Sequence, residues 1–357
     1  MEFGILGLEL SGKTTLFSLL TGHHVAAGHG KREPHPGVAH VPDARLERLA
    51  GVFAPRKAVS ATVRFVDVPG IAKGGSASLN LPELRTMDGL AAVVRGFASA
   101  TVPHPEGNIA PARDAELLET ELLLADLAVV DNRLHRLESE LKKHRTSDLE
   151  AERIALERCR LALDAGKALR QAGLSTEERA HLRGFGFLSL KPLLVVLNVG
   201  EESASDLAGA LVGAGLDRWQ GRPGVATSAV CATLEQEISL LAPADQTAFL
   251  ADLGLPDRAL DRLLRAAYAL LGLISFFTVG DEEVRAWSVP EGTHAARAAG
   301  AVHTDMQRGF IRAEVTPWAE LVEAGSFAAC RAHGTLHLEG KDYVVRDGDV
   351  ITFRFNV

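Results

Sequence analysis

Cysteine is scarce in this chain. Three stand in 357 residues, Cys159, Cys231 and Cys330, far apart and odd in number. That argues against a disulfide framework, and no metal-ligand spacing appears, so the expectation is reduced thiols in a cytoplasmic protein. Positive charge is also short, with a formal net charge of −8. That argues against attachment to nucleic acid by bulk charge alone, and DNA is not an expected partner, although a local basic patch stays open. No apolar run approaches the ~20 residues that cross a bilayer, so no membrane partner is expected. Internal repeats and low-complexity tracts are missing as well. What is present is 46% hydrophobic content, ample for real cores, on a length that predicts two or three domains.

The amino-terminal stretch reads MEFGILGLELSGKTTLF. Gly7 to Thr14 fits G-x-x-x-x-G-K-T, a loop whose glycines let backbone N–H groups turn inward on phosphate oxygens. Phe3, Ile5 and Leu6 form a short apolar run before it, and Thr14 to Leu20 reads as a helix start after it. The pattern predicts a cradle made by Gly7 and the backbone of Leu10, Ser11, Gly12, Lys13, Thr14 and Thr15. Lys13 would reach the terminal phosphates, and the Thr14 hydroxyl would ligate Mg2+. Because these first residues already serve that strand and loop, no cleavable signal peptide is expected.

Further along, His23 to Pro36 is polar, histidine-rich and glycine-bearing, and reads as a mobile segment. Ala61–Val68, Leu90–Val94 and Lys191–Val199 read as strands. With helical stretches between them, they predict a parallel sheet covered by helices on both faces. Leu123, Leu127, Val130, Leu134, Leu137 and Leu141 make a heptad-like stripe, and Ser147 with Glu150 reads as a capping box for a returning helix. Residues 114–172 are therefore expected to form an antiparallel helical hairpin. Its tip, Lys142-Lys143-His144-Arg145, is either a solvated charged turn or a surface for a polyanion. A helix is expected over Asp257–Leu273. Beyond it, Ile274–Val279, Val284–Ser288, Ile311–Val315, Leu336–Leu338, Tyr343–Val345 and Ile351–Phe355 read as the strands of a compact α+β module. That module carries eight Lys and Arg against twelve Asp and Glu, which is not the footprint of an autonomous RNA binder.

Two short patterns lie at strand ends. Asp67-Val68-Pro69-Gly70 is by itself a turn signature. After a phosphate loop and a strand it reads as the second Mg2+ element, Asp67 anchoring the hydrated ion and the Gly70 N–H sensing the last phosphate. Asn198-Val199-Gly200-Glu201 ends the third strand, where a base would lie. Guanine-specific proteins place Asn-Lys-x-Asp there, with a short carboxylate accepting two donors from the guanine edge. Val199 and the longer Glu201 remove that selection, while the Asn198 amide can pair with an adenine edge.

On these residues the chain resembles the YchF family of Obg-related P-loop ATPases, the Obg-like ATPases, nearly end to end. GVAHVPDARLERLAGVFAPRK, ATVRFVDVPG, ELLLADLAVVDNRLHRLE, KPLLVVLNVGE, HTDMQRGFIRAEV and LEGKDYVVRDGDVITFRFNV carry the likeness. The resemblance implies an α/β P-loop NTPase domain of Ras-like, Obg type, with an inserted coiled-coil hairpin and a carboxy-terminal TGS domain, an α+β ubiquitin-like β-grasp module. The implied division is 1–113 and 184–273 for the nucleotide domain, 114–183 for the hairpin and 274–357 for the TGS domain. It further implies ATP over GTP, weak hydrolysis, and a ribosome or ribosomal RNA as partner.

The departures are local. The family's loop is GLPNVGKST; here Pro, Asn and Val become Glu9, Leu10 and Ser11. The Asn can help hold potassium near the phosphates, which Leu10 cannot do. The family's first switch, TIEPN, aligns with Lys31-Arg32-Glu33-Pro34-His35, and no threonine stands between Thr21 and Thr62. The second switch is shortened after Lys73-Gly74-Gly75-Ser76, and Ile71 is hydrophobic as in the family. On the base side, Cys231-Ala232 aligns with the family's Ser-Ala, with Thr227-Ser228-Ala229 as a competing candidate. Holding phosphate needs the loop, whereas turnover needs both switches ordered. The expectation is an ATP binder with slow or lost hydrolysis. A non-hydrolysing scaffold and a GTP-hydrolysing Obg relative are the alternatives. No side chain is assigned as general base.

Overall fold

The structure is a computed structural model that describes residues 1–22, 35–69, 81–99 and 101–356. The first-switch stretch through Pro34, and residues 70–80 with Gly70, Ile71 and Lys73–Ser76, lie outside the described residues. The chain divides into two compact units, Met1–Ala39 with Arg64–Leu270, and His40–Val63 with Leu271–Val357. Elements are numbered in chain order.

The first unit is built on a sheet of order β2 (His35–His40), β4 (Thr62–Asp67), β1 (Glu2–Gly7), β5 (Gly89–Arg95), β6 (Leu193–Asn198) and β7 (Val225–Val230). Pairings from β4 to β7 are parallel. β5 and β6 are buried along their whole length, as strands covered on both faces must be, which is why they read as unbroken apolar runs. Pro36 is tolerated in β2 because that strand is an edge. Around the sheet stand α1 (Lys13–Thr21), α3 (Leu81–Thr86), α7 (Leu207–Gly213), α8 (Ala232–Leu240), α9 (Pro243–Asp252) and α10 (Ala259–Leu270).

Helices α4 (Pro111–Lys143) and α5 (Ser147–Asp164) form the hairpin, and α6 (Thr176–Leu182) follows. α4 serves two cores. Ala115, Leu118, Leu122 and Ala125 join the sheet core, and Leu123, Val130, Leu134 and Leu137 pack with Leu156, Cys159 and Leu163. The predicted capping box at Ser147 is corrected by one residue. Thr146 is the cap, accepting from the Leu149 N–H at 3.3 Å, and Glu150 turns to Arg145 instead. The true capping box lies at Ser175 and Glu178. At the hairpin base the buried Asp126 carboxylate accepts from the Leu188 N–H (2.9 Å), the Ser189 N–H (2.7 Å), the Ser189 hydroxyl (2.8 Å) and Arg85 (3.2 Å). That ties α4 to the segment entering β6.

The second unit is a sheet of order β11 (His337–Glu339), β10 (Phe310–Pro317), β12 (Asp349–Phe355), β8 (Leu273–Val279), β9 (Glu283–Pro290) and β3 (Lys57–Val59). β12 runs parallel to β8 at its centre, and β8 and β9 form a hairpin. One core gathers Phe276, Val289, Val315, Ile351 and Phe353 with the alanines of α11 (Ala295–Val302), next to α12 (Thr304–Arg308). α13 (Trp318–Ala324), α14 (Phe327–His333) and α2 (Ala44–Phe53) complete the unit. The strand expected at Tyr343–Val345 is only a single bridge, Val344 to His294. The run is spent on local bonds instead, Tyr343 Oη donating to Asp349 and the Val345 N–H to Thr293.

Candidate nucleotide site

The site lies at the carboxyl ends of β1, β4, β5 and β6. The strand order reverses between β1 and β5, the position where open α/β sheets leave a crevice for a ligand. Close packing dictates the glycines of the loop. A Cβ on Gly7 would stand 2.4 Å from the Val93 carbonyl oxygen, and one on Gly12 would stand 2.2 Å from Asn198 Nδ2. Gly12 also caps α1 in a left-handed conformation, φ 93°. Leu10 is left-handed too, φ 61°, a conformation that a γ-branched side chain adopts at a cost.

Within that frame Lys13 is buried and its ammonium donates to the Leu8 carbonyl at 2.7 Å. Thr14 Oγ1 donates to Asp67 Oδ2 at 2.9 Å, so the two residues predicted to hold Mg2+ stand side by side. Both supply hard oxygen donors, the ligand chemistry that suits this ion. Ser11 is buried, whereas Glu9, Leu10 and Thr15 are exposed. Gly70 lies outside the described residues.

On the base side, Asn198 acts within the protein. It is 5% exposed. Its Nδ2 donates to the Ser11 carbonyl at 3.1 Å, and its Oδ1 accepts from the Ala232 N–H at 3.2 Å. The amide thus staples the phosphate loop to the start of α8. Val199 is buried and its N–H donates to the Val230 carbonyl, and Glu201 is exposed at the start of a short 3-10 turn. Cys231 and Ala232 sit at the carboxyl end of β7 beside Asn198. Thr227, Ser228 and Ala229 are paired inside β7 with Val195, Val196 and Leu197. Cys231-Ala232 thus stands just past the end of β7, whereas Thr227-Ser228-Ala229 lies within the strand, a difference of register that a linear pattern does not carry.

Two features here have no motif. Arg95 ends β5 opposite Asn198, 2% exposed, and donates to the carbonyls of Phe97, Val102 and Pro103 while stacking on the Phe97 ring. Burial lowers its affinity for a proton. His104 accepts at Nδ1 from the Glu106 N–H (3.1 Å), which leaves Nε2–H to donate to the buried Asp114 carboxylate at 3.0 Å. A lone arginine and a histidine ten residues from its aspartate give no spacing signal.

Comparison with known proteins gives the family. The Bacillus subtilis protein named Ribosome-binding ATPase YchF is 36% identical over 362 residues, covering 99% of each chain. The Escherichia coli O157:H7 protein of the same name is 37% identical over 365 residues, again covering 99% of each. This chain belongs to the YchF family. Residues 273–356 match the family described as YchF-GTPase_C, a protein of unknown function (DUF933). The solved Schizosaccharomyces pombe YchF GTPase superposes with a TM-score of 0.86 at 25% identity, covering 99% of this chain and 97% of that one. The α/β fold with a helical insertion and a separate carboxy-terminal module is therefore the YchF fold. Among the described residues no helix is long and apolar enough to cross a membrane.

Proposed function

We propose that this YchF-family chain binds ATP over GTP with Mg2+, hydrolyses it slowly if at all, and acts in the cytoplasm as a ribosome-associated switch. The observation that carries the reading is the assembly of Lys13, Thr14 and Asp67 under a loop whose glycines are sterically required. Lys13 would leave the Leu8 carbonyl for the β- and γ-phosphates. Thr14 and Asp67 would hold the ion, whose bound form neutralises phosphate charge. The base would lie near Val199, Glu201, Cys231 and Ala232. The exposed Glu201, longer than the aspartate of guanine-specific loops, supports adenine over guanine. Slow turnover rests on Leu10 and on the lack of a threonine between Thr21 and Thr62. The ribosome as partner follows the printed names of the bacterial relatives.

Calorimetric titration of MgATP into wild type and Lys13→Ala tests the cradle. A charge-assisted contact contributes about 1.5–3 kcal/mol, so affinity should fall roughly 10- to 100-fold. Equal affinity of the two proteins overturns the reading. Competition between ATP and GTP for one fluorescent analogue tests the base preference, and a clear GTP preference refutes it. Single-turnover assay decides between a slow enzyme and a scaffold; ATP intact after hours with Mg2+ and potassium present favours the scaffold.

A further inference from the structure

The segment His40–Val63 belongs to the second unit although the chain on both sides of it belongs to the first. Its bonds there are specific. β3 adds to the sheet in parallel with β9, Lys57 opposite Glu283 and Val59 opposite Arg285. The Arg56 and Lys57 N–H groups donate to the carbonyls of Asp281 and Glu282. On α2, Leu46 and Leu49 are buried, and Phe53 lies 6.1 Å from the Phe327 ring. Arg45 is the anchor. Its guanidinium donates to both Asp347 oxygens, at 2.7 and 3.3 Å, and to Asp43, and it lies 5.3 Å from the Phe277 ring centroid. Asp347 is fixed in turn by the Ser275 N–H at 2.9 Å.

The exit of this segment matters most. The chain re-enters the first unit at Arg64, inside β4, and β4 ends at Asp67, the acceptor of the Thr14 hydroxyl. Three residues of extended strand, about 10 Å, separate the re-entry point from that carboxylate. A strand transmits displacement along its axis because its backbone is extended and bonded to its neighbour, here β1 through Glu2↔Arg64 to Ile5↔Asp67. Coupling between two sites can be carried by such a contiguous physical path, and it acts with equal strength in both directions.

We propose that residues 40–63 are a tether through which the carboxy-terminal module controls the Mg2+-dependent part of nucleotide affinity, with Arg45 and Asp347 as positioning residues for Asp67. The tether rests on the nucleotide reading above and adds its regulation. Whatever grips or loosens the β8–β9–β3 edge acts on Asp67, and filling of the nucleotide site protects that edge.

The test uses the full-length protein. ATP affinity is measured with Mg2+ and again with EDTA for the wild type, Arg45→Ala, Asp347→Asn and a control, Glu314→Gln. Glu314 is held by Arg354 and Arg331 at the far side of the same sheet. Arg45→Ala and Asp347→Asn should weaken MgATP binding at least threefold and leave Mg2+-free binding unchanged, and Glu314→Gln should alter neither. Hydrogen exchange on the wild type should slow at residues 57–59 and 283–285 when MgATP is added, a readout that needs no variant to fold. If the wild type binds MgATP while both anchor variants bind it equally well, or residues 57–59 keep their exchange rate, the tether is refuted and the nucleotide site stands. If the wild type itself takes up no MgATP, the site and the tether fall together.

Discussion

Asn198→Ala separates two roles for one side chain. In the structure its amide bridges the Ser11 carbonyl and the Ala232 N–H, at 3.1 and 3.2 Å, in a setting that is 5% exposed. Truncation leaves both backbone groups buried without that partner. Each orphaned group costs roughly 1–3 kcal/mol, so the ligand-free protein should lose about 2–6 kcal/mol. For a domain of 150–250 residues each kcal/mol moves the melting temperature by roughly 2–4 °C, which predicts a fall of about 4–24 °C. Asn198→Asp should behave differently. The Ala232 N–H keeps an acceptor, but the Ser11 carbonyl then faces a carboxylate, so the loop is pushed off α8 and a negative charge stands beside the phosphate cradle. Differential scanning calorimetry without ligand, run beside ATP titrations, checks both variants. If Asn198→Ala melts with the wild type and loses only ATP affinity, the amide works on the base and the staple is not its main role.

Two further outcomes follow from single positions. Leu10→Asn keeps the left-handed backbone in a residue that tolerates it, and because the leucine is 46% exposed little buried surface is lost. A gain of roughly 0.5–1 kcal/mol in urea denaturation is expected, and a loss would show that the leucine side chain is needed where it stands. Glu314 is held below the ordinary carboxyl range by its hydrogen bond from Arg354. A carboxyl lowered in the folded state stabilises above its unfolded pKa, about 4.3, and that part is lost as pH falls through the lower folded value. Acid unfolding of Glu314→Gln should therefore be flatter than wild type below about pH 4.3, and parallel curves would contradict the assignment.

The parts of this molecule that show in sequence are those whose physics is local. The phosphate loop shows because fixed residue types at fixed spacing are needed to turn a backbone around an anion. β5 and β6 show because burial on both faces demands apolar residues throughout, and the hairpin shows because α4 must present leucines to α5 every turn. The capping error at Ser147 has the same origin, since Thr146 and Ser147 carry equivalent hydroxyls and only backbone direction chooses between them. Long-range pairing is different. Arg45 and Asp347 are 302 residues apart, and nothing in the composition of His40–Val63 says which sheet it completes. Likewise Asn198 ends an apolar run whether it faces a base or a backbone carbonyl, and only Ser11 and Ala232 show which groups use its amide.

That distinction bears on how far the loop can drift from its family and keep its shape. Its path is set by neighbours outside it. The Val93 carbonyl leaves no room for a side chain at position 7, Asn198 leaves none at position 12, and the Leu8 carbonyl receives the lysine. Glu9 and Leu10, two of the three altered positions, are exposed, so they would change what a ligand above the loop meets without moving its floor. Ser11 is the exception, because its hydroxyl is buried beside Gly7 where the family carries an apolar valine. Its carbonyl still takes the Asn198 staple, and that bond depends on the backbone alone. A loop held this way tolerates new chemistry on its upper face while the contacts that would cradle a phosphate stay fixed from below. This is the physical reason to expect nucleotide capture and nucleotide turnover to diverge separately in this chain.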